Sequence, residues 1–180
     1  LDKILKMLAS RTACGDAARL AEELAPSSSP EEVERLLNET DEAYVLMARF
    51  GGPPFGGLRD VSNPLRRAQA GGRLTMAELL QVSAVLRTLR ALVDWRKKSG
   101  AQKGCLGDRF DLLMPNKYLE DRINAAILSE EEMADSASPA LASIRRKIRS
   151  ASAKAREVLD RMTRSAAKYL QDPIVTIRDS

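Results

Sequence analysis

The sequence predicts an all-α protein: a helical core bundle followed by a long, protruding, coiled-coil-like helix. Three observations carry that prediction. Aromatic residues are 4% of the 180 and hydrophobic residues 44%, so a core must be assembled mainly from Leu, Ile, Val, Met and Ala. Such an aliphatic, Ala-rich and charge-rich mixture is a helical composition. Helix-start signatures recur at Ser29-Pro30-Glu31-Glu32 and Thr75-Met76-Ala77-Glu78, where a hydroxyl can accept from the third helical N–H while the glutamate reaches back to the cap. Lastly, Leu141, Ile144, Ile148, Ala151, Ala155, Val158 and Met162 follow in alternating steps of three and four, the seam of a coiled coil.

In chain order, Ile4, Leu5 and Leu8 begin an amphipathic segment. Ala17, Leu20, Ala21 and Leu24 continue one past a break near Gly15. After the turn at Pro26, Ser29 caps a helix running to about Arg49, with Val33, Leu36, Leu37, Tyr44 and Met47 as its buried stripe. Phe50 to Asp60 is a Gly/Pro-rich loop, and Pro64 starts a short helix that ends at Gly71-Gly72. Thr75 opens a helix lined by Leu79, Leu80, Val82, Val85, Leu86, Leu89, Leu92 and Val93. From Lys97 to Gly107 the pattern is irregular; a helix from about Lys117 to Leu128 follows, with Leu119, Ile123, Ala126 and Ile127 inward. Glu130 to Glu132 read as a solvated acidic turn. Ser138 then caps the long helix, with Pro139 at its first position, where a missing N–H costs nothing. Run to Lys168, that helix would reach roughly 45 Å. Pro173 to Ile177 reads as a strand because β-branched residues cluster there. The expected division is 1–135 as helical core, 136–170 as long helix and 171–180 as the start of a further region.

Charge is unevenly spread. The net charge is +4, from 29 Lys and Arg against 25 Asp and Glu, yet the stretch before Trp95 is close to neutral and the excess follows it. On the long helix Arg145, Arg146, Lys147, Arg149, Lys154, Arg156, Arg161, Arg164 and Lys168 stand against Glu157 and Asp160. There is no histidine, which excludes imidazole acid–base chemistry and imidazole metal ligation. Gly51-Gly52-Pro53-Pro54-Phe55-Gly56-Gly57 is glycine-rich but lacks the Gly-Lys-Ser/Thr of a phosphate-binding loop. The sequence thus offers no catalytic, cofactor or metal residues, and no small-molecule substrate is expected. Cys14 and Cys105 lie in unrelated contexts without ligand spacing. They are read as a buried small hydrophobe and an exposed loop thiol, in a reducing, cytoplasmic compartment. No apolar run is long enough to span a bilayer. The chain opens on Leu1, and a piece of a larger protein is expected.

Three segments together resemble the second subfamily of MutS-like proteins, the bacterial endonuclease branch. They are Pro53-Pro54-Phe55-Gly56-Gly57-Leu58-Arg59-Asp60, then Asp135-Ser136-Ala137-Ser138-Pro139 with Leu141 and Ile144-Arg145-Arg146, then Tyr169-Leu170-Gln171-Asp172-Pro173-Ile174-Val175-Thr176-Ile177-Arg178. The opening Leu1-Asp2-Lys3-Ile4-Leu5 and Glu39-Thr40-Asp41-Glu42-Ala43 also fit, so the likeness spans essentially the whole chain in order. Around Lys97 to Asp111 the sequence departs from that pattern. The resemblance implies an N-terminal core and outgoing lever helix, with a clamp beginning where this sequence ends. For the full-length proteins it implies a dimer, an ATPase using ATP and magnesium, and a C-terminal Smr-type endonuclease. It further implies branched DNA, with suppression of homologous recombination, or collided ribosomes and their rRNA, as partners.

Within that frame the basic helix is both a seam for a returning helix and a source of phosphate contacts, with Arg145, Arg149, Arg156 and Arg164 as candidates. In the loop, Phe55 is expected to plug the core, Gly56 and Gly57 to permit tight turns, and Arg59 and Asp60 to form a local ion pair. Trp95 is a packing residue rather than a base-stacking platform. Lys97, Lys98 and Lys103 read as a surface loop. The alternative function, from a different class, is a stand-alone helical interaction module that dimerises through the 138–168 heptads.

Overall fold

The computed structural model describes residues 1–100 and 104–169. Among them are eight α-helices and no strand: α1 (Asp2–Ala9), α2 (Gly15–Glu22), α3 (Pro30–Phe50), α4 (Ser62–Gln69), α5 (Met76–Ser99), α6 (Gly107–Asp111), α7 (Lys117–Ala126) and α8 (Pro139–Ala166). The all-α class follows. The strand expected at Pro173–Ile177, like Lys103, lies outside the described residues. The chain divides into two units, Leu1–Glu132 and Met133–Ser180.

In the first unit α1 and α2 pack as a helical hairpin, and α5 lies against α7. Val82, Ile123 and Ile127 form the buried centre of the second pair, with Val61, Met76, Leu79, Leu80, Leu86 and Ala126 around them. The Ser83 hydroxyl, fully enclosed, donates to Asn124 Oδ1 at 2.9 Å and fixes the register of the two helices. Near the far end of α5, Leu92 is 3% exposed, and Trp95 stacks on Phe110 of α6 with ring centroids 6.1 Å apart. Trp95 is therefore a packing residue.

Helix starts follow the sequence with one difference. The Thr75 capping box is complete: Glu78 N–H donates to Thr75 Oγ1 at 3.2 Å, and Thr75 N–H donates to Glu78 Oε2 at 2.8 Å. At Ser29 only half of it forms. Glu32 N–H donates to Ser29 Oγ, but the Glu32 carboxylate accepts from Ser27 instead, whose hydroxyl oxygen takes the Ser29 N–H. Ser27 lies close enough to intercept both groups.

Other elements differ from expectation. α5 continues through Lys97 and Lys98 to Ser99, and Gly100 closes it in the left-handed region at φ 70°. Those two lysines are helical residues, and their neighbours near Leu106 form the short α6. α4 begins at Ser62, with Pro64 in its first turn. The apolar stripe of α3 is mostly exposed: Leu37, Tyr44 and Met47 are all exposed and only Leu46 is buried. Cys14 is half-buried at the start of α2. Cys105 is exposed, but its Sγ donates to Glu42 Oε2 at 2.8 Å, and this carboxylate pushes the thiol pKa up.

Candidate nucleic-acid interface

The second unit is built around α8, a single continuous helix of 28 residues, roughly 42 Å long at 1.5 Å per residue. Its start is as the sequence dictates. Ser138 is extended and its hydroxyl accepts from Leu141 N–H at 3.1 Å, with Pro139 at the first helical position. A turn at Asp135–Ala137 precedes it.

No residue of α8 is buried. Ile144, Ile148, Val158 and Met162 are 55%, 58%, 49% and 61% exposed, so the apolar seam lies open to solvent. Lettering Leu141 as heptad position a places Ile144, Ala151 and Val158 at d, and Ile148, Ala155 and Met162 at a. The cations then sort into two groups by position. Arg146, Arg149, Arg156 and Arg164 fall at b, c or f, away from the seam. Arg145 falls at e, and Lys147, Lys154 and Arg161 fall at g, on its flanks.

The four predicted arginines do not share one environment. Arg145 Nη1 donates to the Met133 carbonyl and to Asp135 Oδ1, both at 2.7 Å. Arg149 Nη1 reaches the other oxygen of the same carboxylate at 3.2 Å. Asp135 is thereby held below the usual carboxylate range, first by Arg145 and then by Arg149. This clamp fastens the turn to the first three turns of α8, and it commits Arg145 to a local job. Arg149 remains 64% exposed at its side chain. Arg164 Nε donates to its own helix at the Asp160 carbonyl, 3.3 Å. Arg156 and Arg146 are exposed, and neither has a hydrogen-bond or ion-pair partner among the described residues. Asp135 is not legible as an anchor from the sequence alone. The only sequence signal for it was an acid just ahead of a cap, with arginines in the helix turns beyond.

The Gly/Pro loop belongs to the first unit and is tied to α5. Residues Phe55–Gly57 form a 3-10 turn. A side chain at Gly57 would collide with the Thr88 hydroxyl and crowd the Ala84 carbonyl, so glycine is required for this approach, whereas Gly56 has open space beside it. Phe55 does not plug the core. It is 41% exposed and lines one wall of a cleft of about 330 Å³ shared with Leu46, Met47, Leu92, Trp95 and Phe110. The expected Arg59–Asp60 ion pair is also not formed. Arg59 Nη1 donates to the Leu58 carbonyl at 2.7 Å, and Asp60 Oδ1 accepts the Ser62 N–H at 2.9 Å. Each side chain finds a backbone partner nearer than its neighbour's charge.

Among the described residues no cluster of acidic or sulfur side chains could hold a metal ion, and no helix is long and apolar enough to cross a membrane. No protein-family model matches the chain. Proteins named Endonuclease MutS2 do. The one from Acetivibrio thermocellus is 39% identical over 98% of this chain and 23% of its own length. Those from Ruminiclostridium cellulolyticum and Clostridium botulinum are 38% and 35% identical, again over 98% of this chain and 23% of theirs. The chain spans less than a quarter of the curated relatives it matches, but the match is nearly end to end within it. By this relationship the chain is homologous to a segment of the proteins named Endonuclease MutS2.

Proposed function

We propose that these residues form a non-catalytic core-and-lever scaffold of a cytoplasmic MutS2-type protein, and that α8 carries phosphate contacts to the nucleic acid its parent protein clamps. The observation that carries this reading is the outward arginine stripe on a continuous helix none of whose residues is buried. Arg149 and Arg156 are two turns apart on one face, roughly 10 Å along the axis, with Arg164 beyond. Guanidinium groups present several donors in a planar fork that suits phosphate oxygens. Their spacing reads backbone rather than base edges, which fits a target defined by shape, such as branched DNA or ribosomal RNA. Arg145, occupied by Asp135, contributes to the helix start and not to the stripe. ATP, magnesium, the endonuclease step and dimerisation belong, on this reading, to other parts of the full-length protein.

The test is fluorescence anisotropy of a labelled DNA four-way junction, and separately of a helical rRNA fragment, titrated with this chain across a range of salt. Each phosphate neutralised adds about −0.9 to the slope of log affinity against log salt on duplex DNA. Three arginines therefore give a slope near −3, and an Arg149→Ala, Arg156→Ala, Arg164→Ala triple variant flattens it towards zero. Binding that is insensitive to salt, or unchanged in the triple variant, overturns the reading.

A further inference from the structure

α3 is 21 residues long, yet Leu46 is its one buried residue, so apolar packing alone gives it little hold on the rest of the first unit. Its remaining ties are polar, and they converge on one short stretch of chain. Glu39 and Glu42 lie three residues apart, on one face of the helix. Glu39 Oε2 accepts from Arg109, at 2.8 Å from Nε and 2.7 Å from Nη2, while Arg35 holds the other oxygen at 2.7 Å. Glu42 Oε2 accepts the Leu106 N–H at 3.1 Å besides the Cys105 thiol. Among the described residues, every side-chain hydrogen bond that α3 makes to a later part of the chain ends on residues 105–109.

That stretch is itself fastened to α5. Arg96 Nη1 donates to Asp111 Oδ1 at 2.6 Å, and its guanidinium lies over the Phe110 ring, which stacks on Trp95. The approach to α3 depends on Gly104, because a Cβ there would strike the Glu42 carboxylate and hold the turn away. Residues 104–111 thus bridge α3 and α5 through polar side chains whose outer members, Arg109 and Asp111, are 57% and 67% exposed. Ties of this kind, open to water, each contribute little. Behind the bridge the two helices do not close. Leu46 and Met47 of α3 and Leu92 and Trp95 of α5 line the cleft of about 330 Å³ between them, where contacts that would hold the helices together are not made.

We infer that residues 104–111 are a clasp that holds α3 against α5, and that release of Glu39 and Glu42 lets α3 swing away and widens the cleft around Trp95. The backbone after α3 suits a hinge. Gly51, in the left-handed region at φ 79°, and Gly52 follow the helix directly, and both have open space about them, so a rotation can be absorbed there. The α5–α7 pair is held differently, by enclosed packing at Val82, Ile123 and Ile127, and stays in place when the clasp opens. The device is a joint within the first unit, and it does not depend on what α8 contacts.

Trp95 is the single tryptophan of the chain, so acrylamide quenching of its fluorescence reads the cleft directly. Raising salt from about 0.1 to about 1 M shortens the Debye length from about 10 to about 3 Å and weakens the Arg109–Glu39 pair. Quenching in the unaltered 180-residue chain is therefore expected to rise with salt. A Glu42→Ala, Arg109→Ala variant removes both α3 ties without leaving a buried charge unpaired, since Arg35 still holds Glu39. Its quenching at low salt is expected to exceed the parent's by about twofold or more, with no further rise at high salt. In hydrogen–deuterium exchange the α7 amides of this variant should keep the parent's rates. Parent quenching that ignores salt overturns the inference, whatever the variant does. So does unchanged quenching in the variant, or α7 amides accelerated as much as the cleft is opened, which would make the stretch a part of the common core and not a clasp.

Discussion

Glu120 on α7 is 3% exposed and keeps its charge because two arginines of α5 reach it from more open ground. Arg90 donates from Nε and Nη2 at 3.1 and 2.9 Å, and Arg87 adds Nε at 3.3 Å. These contacts, Arg90's first, hold the carboxyl below the usual glutamate range against the opposing effect of burial. The consequences of removing either partner are unequal. Arg90→Met strands a carboxylate with one longer hydrogen bond and should cost about 2–3 kcal/mol. Glu120→Gln leaves arginines that can turn to water and should cost about 1 kcal/mol. The sign of the pH dependence follows from the lowered value. The pair stabilises the fold fully above the unfolded glutamate pKa of about 4.3 and loses that contribution as pH falls through the lower folded value. Urea unfolding at a series of acid pH values should therefore show the parent and Glu120→Gln converging as pH drops. Parallel curves would show that the carboxylate is not held in this way.

At the scale of elements, α5 and α8 are the two longest helices and are stabilised by different means. α5 is held by tertiary packing at Val82, Ser83, Thr88 and Leu92, while α8, among the described residues, relies on its cap, its Asp135 clamp, the exposed Glu157–Arg161 pair and its own backbone ladder. Leu92→Ala should cost about 2–5 kcal/mol in denaturant unfolding, the range for deleting an enclosed leucine. Ile148→Ala, the same kind of truncation on the open seam, should stay within about 0.5 kcal/mol. A large penalty at Ile148 would mean that the seam is already covered. The same contrast explains what could be read from the residues alone. Helix starts at Thr75 and Ser138 are local chemistry within four residues, and they are visible in the sequence. The short α6 has too few residues to show a period, so it hid in an irregular stretch. Glu120 looks like an ordinary first-turn acid of α7; its burial depends on Arg87 and Arg90, about thirty positions away, and no spacing rule announces that. The Arg59–Asp60 expectation failed for the converse reason, since adjacency in sequence says nothing about the backbone groups each side chain meets first. On α8 the apolar seam was visible as a heptad, but that Asp135 would occupy Arg145 depended on a turn whose geometry the sequence left open.

For the whole molecule, the uneven distribution of packing implies an uneven distribution of stability. A protein opens locally with free energies that run from near zero up to that of global unfolding, according to how much buried contact each segment must break. α5 and α7 share an enclosed centre at Val82, Ile123 and Ile127, so their amides should exchange only in the largest openings. α8 has length in its favour, since isolated helices become tenable beyond about 12–15 residues, but none of its residues is fully buried and its helix can fray independently. Hydrogen–deuterium exchange of the intact chain should therefore show amides from Val82 to Leu92 slower than those from Ile148 to Met162 by about two orders of magnitude or more. Comparable protection in the two helices would mean that α8 is held by more than its cap, its Asp135 clamp and its own backbone ladder.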